Sequence, residues 1–475
     1  MMKLKIILLY LFTMLLGSCC KNCIVPEKVN YPKSTRSGIK YVNDETVLSQ
    51  VAWWKKLKDP ELDQLIYQAL TSNYQIQSSY ATIEQAQAQL KAAQYAWIPT
   101  LDGSTGGFAG RTWNSHITPQ GRLAKTPLFS DLSNLRFKEY NAGFVPGYTV
   151  NILTNINDIK AAQASLDLQK AQTQATKLGI ISQMSGAYFM LLSQREQLAV
   201  EKTLCHDLKK LHQLEQVRFQ KGASDLETLT NIDQQLAQEE TKIPQIENVV
   251  AQSENTIHFL LNGNPGPIST SRTLLSLNLE NIIPKHLPSS VLKNRPDIMI
   301  ALNHVKIAYS QIGVAYSVFF PTISLTGLLG GTSVDLSHLL KLSTHIWIAQ
   351  AAASMKIFNA SSYQNVKSAK ANFKATYYDY LETLHAAFAD VDNALMTEQK
   401  SRLSYLQAHK GYLAAKKGYA IALAQYKAGA KDYRSVVNAK INLDRSMLNL
   451  IQEKAQLLDG MVQVYNAVAG GYEAT

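Results

Sequence analysis

Four cysteines serve 475 residues; Cys19, Cys20 and Cys23 crowd the N-terminus and Cys205 stands alone. That distribution excludes a disulfide framework. Long apolar runs are missing as well. The one from Ile6 to Leu16 is about a dozen residues, too short to cross a bilayer as a helix. A β-barrel is left open, because barrel strands alternate and leave only a weak hydropathy signal. The motifs of catalysis are absent too: no phosphate loop, no nucleophile elbow and no carboxylate pair in a pocket-like context. Cys205, His206 and His212 come nearest to a metal cluster; Cys205 and His212, seven apart, share a helix face as a surface pair with no third or fourth ligand nearby. Neither enzyme activity, cofactor nor metal is expected. Basic residues exceed acidic ones, 47 to 36. They are spread along polar faces without interleaved aromatics, so no nucleic-acid partner is expected.

Absent proline points to what is present. None occurs between Pro146 and Pro244, and none after Pro321. Proline breaks helix interiors, so these stretches permit very long helices. Apolar residues there recur at 3-4 spacing, as in Ile83, Ala86, Leu90, Ala93, Trp97 and in Leu381, Leu384, Phe388, Val391, Leu395. Such spacing is a coiled-coil seam with many alanine knobs.

The chain is duplicated. A shift of 222 residues carries the seam Ile83–Trp97 onto Val305–Phe319 and Pro99-Thr100 onto Pro321-Thr322. A shift of 207 carries Phe219-Gln-Lys-Gly222 onto Tyr426-Lys-Ala-Gly429, and Asp225 onto Asp432. Between the seams, residues 100–152 and 322–358 lose the helical period and alternate, with glycine and aromatics, as β-hairpins do. Each half therefore reads as helix, β-hairpin, long helix, tight turn, long helix. Glycine behind a basic last turn stops a helix. Ser224 or Asp225, and Lys431-Asp432, offer oxygens to cap the return. The helical hairpin tips are thus placed at 222–225 and 429–432.

The N-terminus reads as an export signal. Lys3 and Lys5 precede the apolar core, and Leu16-Gly17-Ser18-Cys19 resembles a bacterial lipobox. That resemblance implies removal of 1–18 and acylation of Cys19, a stable anchor to lipid. The domain reading is then signal peptide 1–18, anchor segment 19–58, first repeat 59–263, linker 264–295 and second repeat 296–475.

Trp53-Trp54, Asp59-Pro60-Glu61-Leu62, Asn294-Arg295-Pro296-Asp297-Ile298 and Phe319-Phe320-Pro321-Thr322-Ile323-Ser324 together resemble the TolC family, in its OprM/NodT-like lipoprotein branch. The resemblance implies a mostly α fold with a β-barrel. Duplicated long-helix hairpins would form an α-helical barrel, and four strands per protomer would make a twelve-stranded barrel in a homotrimer. It implies an outer-membrane exit duct reaching into the periplasm, serving efflux of small solutes such as drugs with a periplasmic adaptor and an inner-membrane pump. The tip residues Gly222, Ser224, Asp225, Gly429, Lys431 and Asp432 would meet the adaptor. Arg434, Ser435 and Asn438 would line the entrance, with Ser435 and Asn438 where relatives often carry aspartates. A strongly cation-selecting entrance is therefore not expected. Phe358-Asn359-Ala360 stands where the family often has glycine, and Asn359 is a candidate for a left-handed turn. The alternatives are a duct for type I protein secretion and a non-channel coiled-coil periplasmic lipoprotein. The lipobox and Arg295-Pro296-Asp297 argue against the first, and the two matching halves against the second.

Overall fold

The computed structural model describes residues 35–36, 38, 41–42, 50–111, 136–279, 282–283, 287–288, 294–339, 341 and 345–473. The signal segment and Cys19, Cys20 and Cys23 lie outside the described residues.

The elements come in matched pairs. After β1 (Tyr41–Val42) and a 3-10 turn (Trp53–Leu57), the first half runs α1 (Pro60–Ser72), α2 (Tyr74–Tyr95), β2 (Thr100–Arg111), β3 (Arg136–Val150), α3 (Ile152–Gln220) and α4 (Leu226–Leu260). The second runs β4 (Leu287–Pro288), α5 (Pro296–Ser317), β5 (Thr322–Ser333), β6 (His345–Ser354), α6 (Ala360–Lys427) and α7 (Tyr433–Ala467). α2 and α5 have 22 residues each, α4 and α7 35 each, and α3 and α6 69 and 68. At 1.5 Å per residue the last two are about 100 Å long.

Local chemistry sets the boundaries. Asp59 Oδ1 accepts the amides of Glu61 and Leu62 at 3.0 and 3.3 Å, and Pro60 takes the first helical position, where its missing N–H costs nothing. One helix was expected before the first hairpin, but two are found. Asn73 is extended (φ −62°, ψ 130°) and caps α2 by accepting the Gln75 amide at 2.9 Å. Asn359, expected as a left-handed turn, is extended at φ −156° and caps α6 by accepting the Ser362 amide at 3.1 Å. Within 264–295, read as linker, β4 pairs in parallel with β1. Pro244 sits inside α4, which runs through it on an exposed turn.

The helices lie side by side in one layer. Beneath the sheet the order is α2, α3, α5, α6; further down it is α4, α3, α7, α6. α3 meets a neighbour on both flanks, α2 and α5 above and α4 and α7 below, so its apolar residues form two lateral stripes whose directions largely cancel, and it shows no single greasy face.

The main core sits at mid-height. There Trp53 stacks on Tyr465 (centroids 4.9 Å apart), with Leu62 and Ile66 of α1 against Ile181, Met184 and Tyr188 of α3. The Tyr188 hydroxyl donates to Asp59 Oδ2 at 2.8 Å. Lys454 donates to the carbonyls of Leu275 and Leu277 at 2.8 and 2.9 Å, and Tyr465 to that of Ile282. These segments form a second layer on one face of the wall. In the duct that the resemblance implies, a second layer on the inner side would plug the bore, which makes the covered face the outer one.

Candidate functional site

The sheet is antiparallel in the order β2-β3-β5-β6. Its register, with side chains alternating along each strand, sorts the residues by face. One face carries Leu101, Phe144, Tyr148, Ile323, Leu325, Leu329 and Trp347. The other carries Asp102, Ser104, Glu139, Asn141, Thr149, Ser324, Thr326 and Gln350, interspersed with Val145, Leu328 and Ile348 and, towards the end far from the helices, Phe108. Thr332 Oγ1 donates to Glu139 at 3.0 Å on that polar face. An exposed apolar face backed by a polar one is the arrangement of a membrane barrel wall around a wet lumen. Pro146 in β3 faces Gly327, where a Cβ would come within 2.9 Å of the proline ring.

Two joints keep the wall continuous. α4 ends where α2 begins, and α7 ends where α5 begins, so each pair shares one track. At the first joint, Asn73 Nδ2 donates to the Leu260 carbonyl at 2.8 Å. At the second, Arg295 Nη1 donates to the Ala467 carbonyl at 2.7 Å. The shift of 222 carries Asn73 onto Arg295, and the shift of 207 carries Leu260 onto Ala467; the two contacts are copies of one another. Arg295 occupies the cap position of α5, but its side chain makes no cap bond. Buried, it spans the joint, paired with Asp297 at 2.7 Å and Asp390 at 3.2 Å, both half exposed. These groups line a recess of about 520 Å³.

The tips repeat as well. Gly222 and Gly429 have φ of +69° and +74°. Ala223 donates back to Arg218 and Gly222 to Phe219; Ala430 donates to Gln425 and Gly429 to Tyr426. This is the Schellman closure, which needs a left-handed residue. Asp225 caps α4 through the Thr228 amide at 2.6 Å, and Asp432 caps α7 through Ser435 at 3.0 Å. Ser224 does not cap; its hydroxyl bonds Glu215 at 2.9 Å. Lys431 and Asn438 are exposed and Ser435 is half-buried. Arg434 reaches across from α7 to α3, with Nε 3.0 Å from Glu215 Oε1 but off the line of a hydrogen bond, so the contact is an ion pair. Arg218 stands between them, 3.6 Å from Glu215 and 3.7 Å from Asp432.

Glu215 and Arg218 were missed from sequence. The available signal was a break in the duplication: the shift of 207 places Glu215, a fully buried carboxylate, on the buried Ala422. Higher up, Glu201 of α3 and Glu239 of α4 are both buried and share a hydrogen bond. Burial first, and then that bond, push Glu201 up to about 7, while Lys242 and Arg445 attend Glu239. Cys205, expected at the surface, is buried, and His212 pairs with Asp233 at 3.0 Å. Among the described residues no three His, Cys, Asp or Glu side chains are placed to hold a metal.

The family model for outer membrane efflux proteins matches twice, over residues 65–263 and 287–470. The chain belongs to the outer membrane efflux protein family. Similar relatives include the cation efflux system protein CusC of Escherichia coli K12, 24% identical over 75% of each chain. Another is the solvent efflux pump outer membrane protein SrpC of Pseudomonas putida, 26% identical over 88% of this chain and 87% of that one. Among solved structures, the CmeC outer membrane channel of Campylobacter jejuni superposes with a TM-score of 0.81 at 25% identity, covering 96% and 95% of the two chains. The efflux protein is thus an exit duct of the outer membrane that extends into the periplasm.

Proposed function

We propose that three copies of the efflux protein close into one duct and that it passively conducts small solutes such as drugs. Conduction of this kind needs no catalytic residue. The observation that carries the reading is the four-stranded sheet, with β2 and β6 as open edges and one apolar face. Exposed edges of that length are not tolerated in lipid, and three such sheets joined edge to edge leave none. In that assembly the tips at Gly222, Ser224, Asp225, Gly429, Lys431 and Asp432 meet a periplasmic adaptor, which joins the duct to an inner-membrane pump. Arg434, Ser435 and Asn438 border the entrance. Acylated Cys19 holds the assembly to outer-membrane lipid. Light scattering on the detergent-extracted protein is expected to give the mass of a trimer. A stably folded monomer overturns the reading.

A further inference from the structure

Charge is uneven around the base of the barrel. In the helical residues nearest the sheet, α2 carries Lys91, α3 carries Lys160 and α6 carries Lys367, all exposed. At 1.5 Å per residue each lies about 10–12 Å below the strand–helix junction. Among the described helical residues the carboxylate at that height is Asp158, two residues before Lys160 and therefore about 200° around the helix from it.

The three lysines share the outer face. Lys160 stands 28 residues before Tyr188, about eight turns of a supercoiled helix, and Tyr188 is held by Asp59 of the outer layer. Lys177, on the same flank of α3, lies over the Tyr80 ring of α2 at 5.6 Å, which marks the outer side of α2. Lys91 follows Tyr80 by about three turns. Lys367 precedes Asp392 by about seven turns, and Asp392 receives the Arg36 amide of the N-terminal segment. Just above, Ile98, Ile152 and Ile357 are exposed, Ile357 at 90%, a greasy rim that sets the edge of the hydrocarbon. Lysines one headgroup layer below such a rim reach upward with their stems on apolar surface. Joining β6 of one copy to β2 of the next also sets Lys367 beside the neighbour's Lys91 at the same height.

We propose that Lys91, Lys160 and Lys367 form a collar that binds the phosphate headgroups of anionic phospholipids in the inner leaflet of the outer membrane. The collar rests on the trimeric duct proposed above. Three lysines per copy near one leaflet act together, and each attracts anionic lipid independently of headgroup shape.

The test is native mass spectrometry of the full-length protein released from vesicles of equal phosphatidylglycerol and phosphatidylcholine. The wild type should retain phosphatidylglycerol in several-fold excess, an excess that shrinks with salt. The triple variant Lys91→Gln, Lys160→Gln, Lys367→Gln should lose the excess at unchanged trimer mass, and the matching arginine variant should keep it. A trimer without phosphatidylglycerol preference, or a glutamine variant that retains it, overturns the collar alone. Absence of the trimer mass overturns the assembly and the collar together. If the glutamine variant instead shifts the reversal potential of the channel and leaves lipid retention unchanged, the lysines face the duct and the collar is wrong.

Discussion

We expect tip closure within one copy to depend on Glu215. Its side chain is fully buried and takes Ser224 at 2.9 Å, Arg434 at 3.0 Å and Arg218 at 3.6 Å. It binds the α3–α4 tip to the α6–α7 tip. Removing one partner of a fully buried ion pair costs about 3–5 kcal/mol. Arg218 and Arg434 are each 40% exposed and keep water when the carboxylate goes, so the loss falls to about 1–2 kcal/mol per copy. One or two kcal/mol moves a two-state equilibrium by about 5- to 30-fold. The substitution Glu215→Ala should therefore raise the open probability of purified channels in planar bilayers by at least about fivefold. Glu215→Gln should fall between, since it keeps the Ser224 bond and loses the charge. Combined with Arg434→Ala, the effects should be less than additive, because both remove one contact. Closed, wild-type conductance from Glu215→Ala, or strict additivity, refutes the assignment.

The joints should be measurable by thermal unfolding. Asn73→Ala loses both a helix cap and the Leu260 carbonyl and should cost about 1–2 kcal/mol. Arg295→Met should cost about 2–3 kcal/mol, and Arg295→Asn, which copies the first joint, should recover part of it; equal loss in both Arg295 variants counts against equivalence. Glu201 gives a pH signature. Its folded value of about 7 lies above the ordinary 4.5, so its protonated contribution to stability is complete below 4.5 and is lost as pH rises to about 7. Glu201→Gln should flatten that fall, and a wild type whose melting temperature does not change from pH 4.5 to 7 refutes it. Mass spectrometry of the mature N-terminus should find acyl chains on Cys19; cleavage elsewhere rejects the anchor.

Much of this was legible because the chain repeats itself. Gly222 and Gly429, Asp225 and Asp432 are short-range signals: a left-handed residue and a cap identify themselves within a few positions. The alternation in 322–358 likewise revealed β5 and β6. What escaped depends on partners distant in sequence. The break at Asn73 exists because the Leu260 carbonyl, 187 residues later, needs a donor. The pairing of β1 with β4 joins two residues to two across the whole first repeat, with no local pattern to announce it. Arg295 stands in sequence at the start of α5, whereas its charge serves the end of α7. Lysines 91, 160 and 367 looked like dispersed solvated residues until the fold set them at one height.

The spliced tracks have a mechanical consequence. Of the four staves in each copy, α3 and α6 run unbroken from barrel to tip, while α4 with α2 and α7 with α5 are each cut once. The unbroken staves fix the length of the tube. The cut ones can swing below Asn73 and Arg295 without tugging on the strands, because their backbone is not continuous there and only side-chain bonds cross the gap. A shift of α4 or α7 alone is therefore taken up at these two joints, whereas a shift of α3 or α6 is carried along an unbroken helix to the strands.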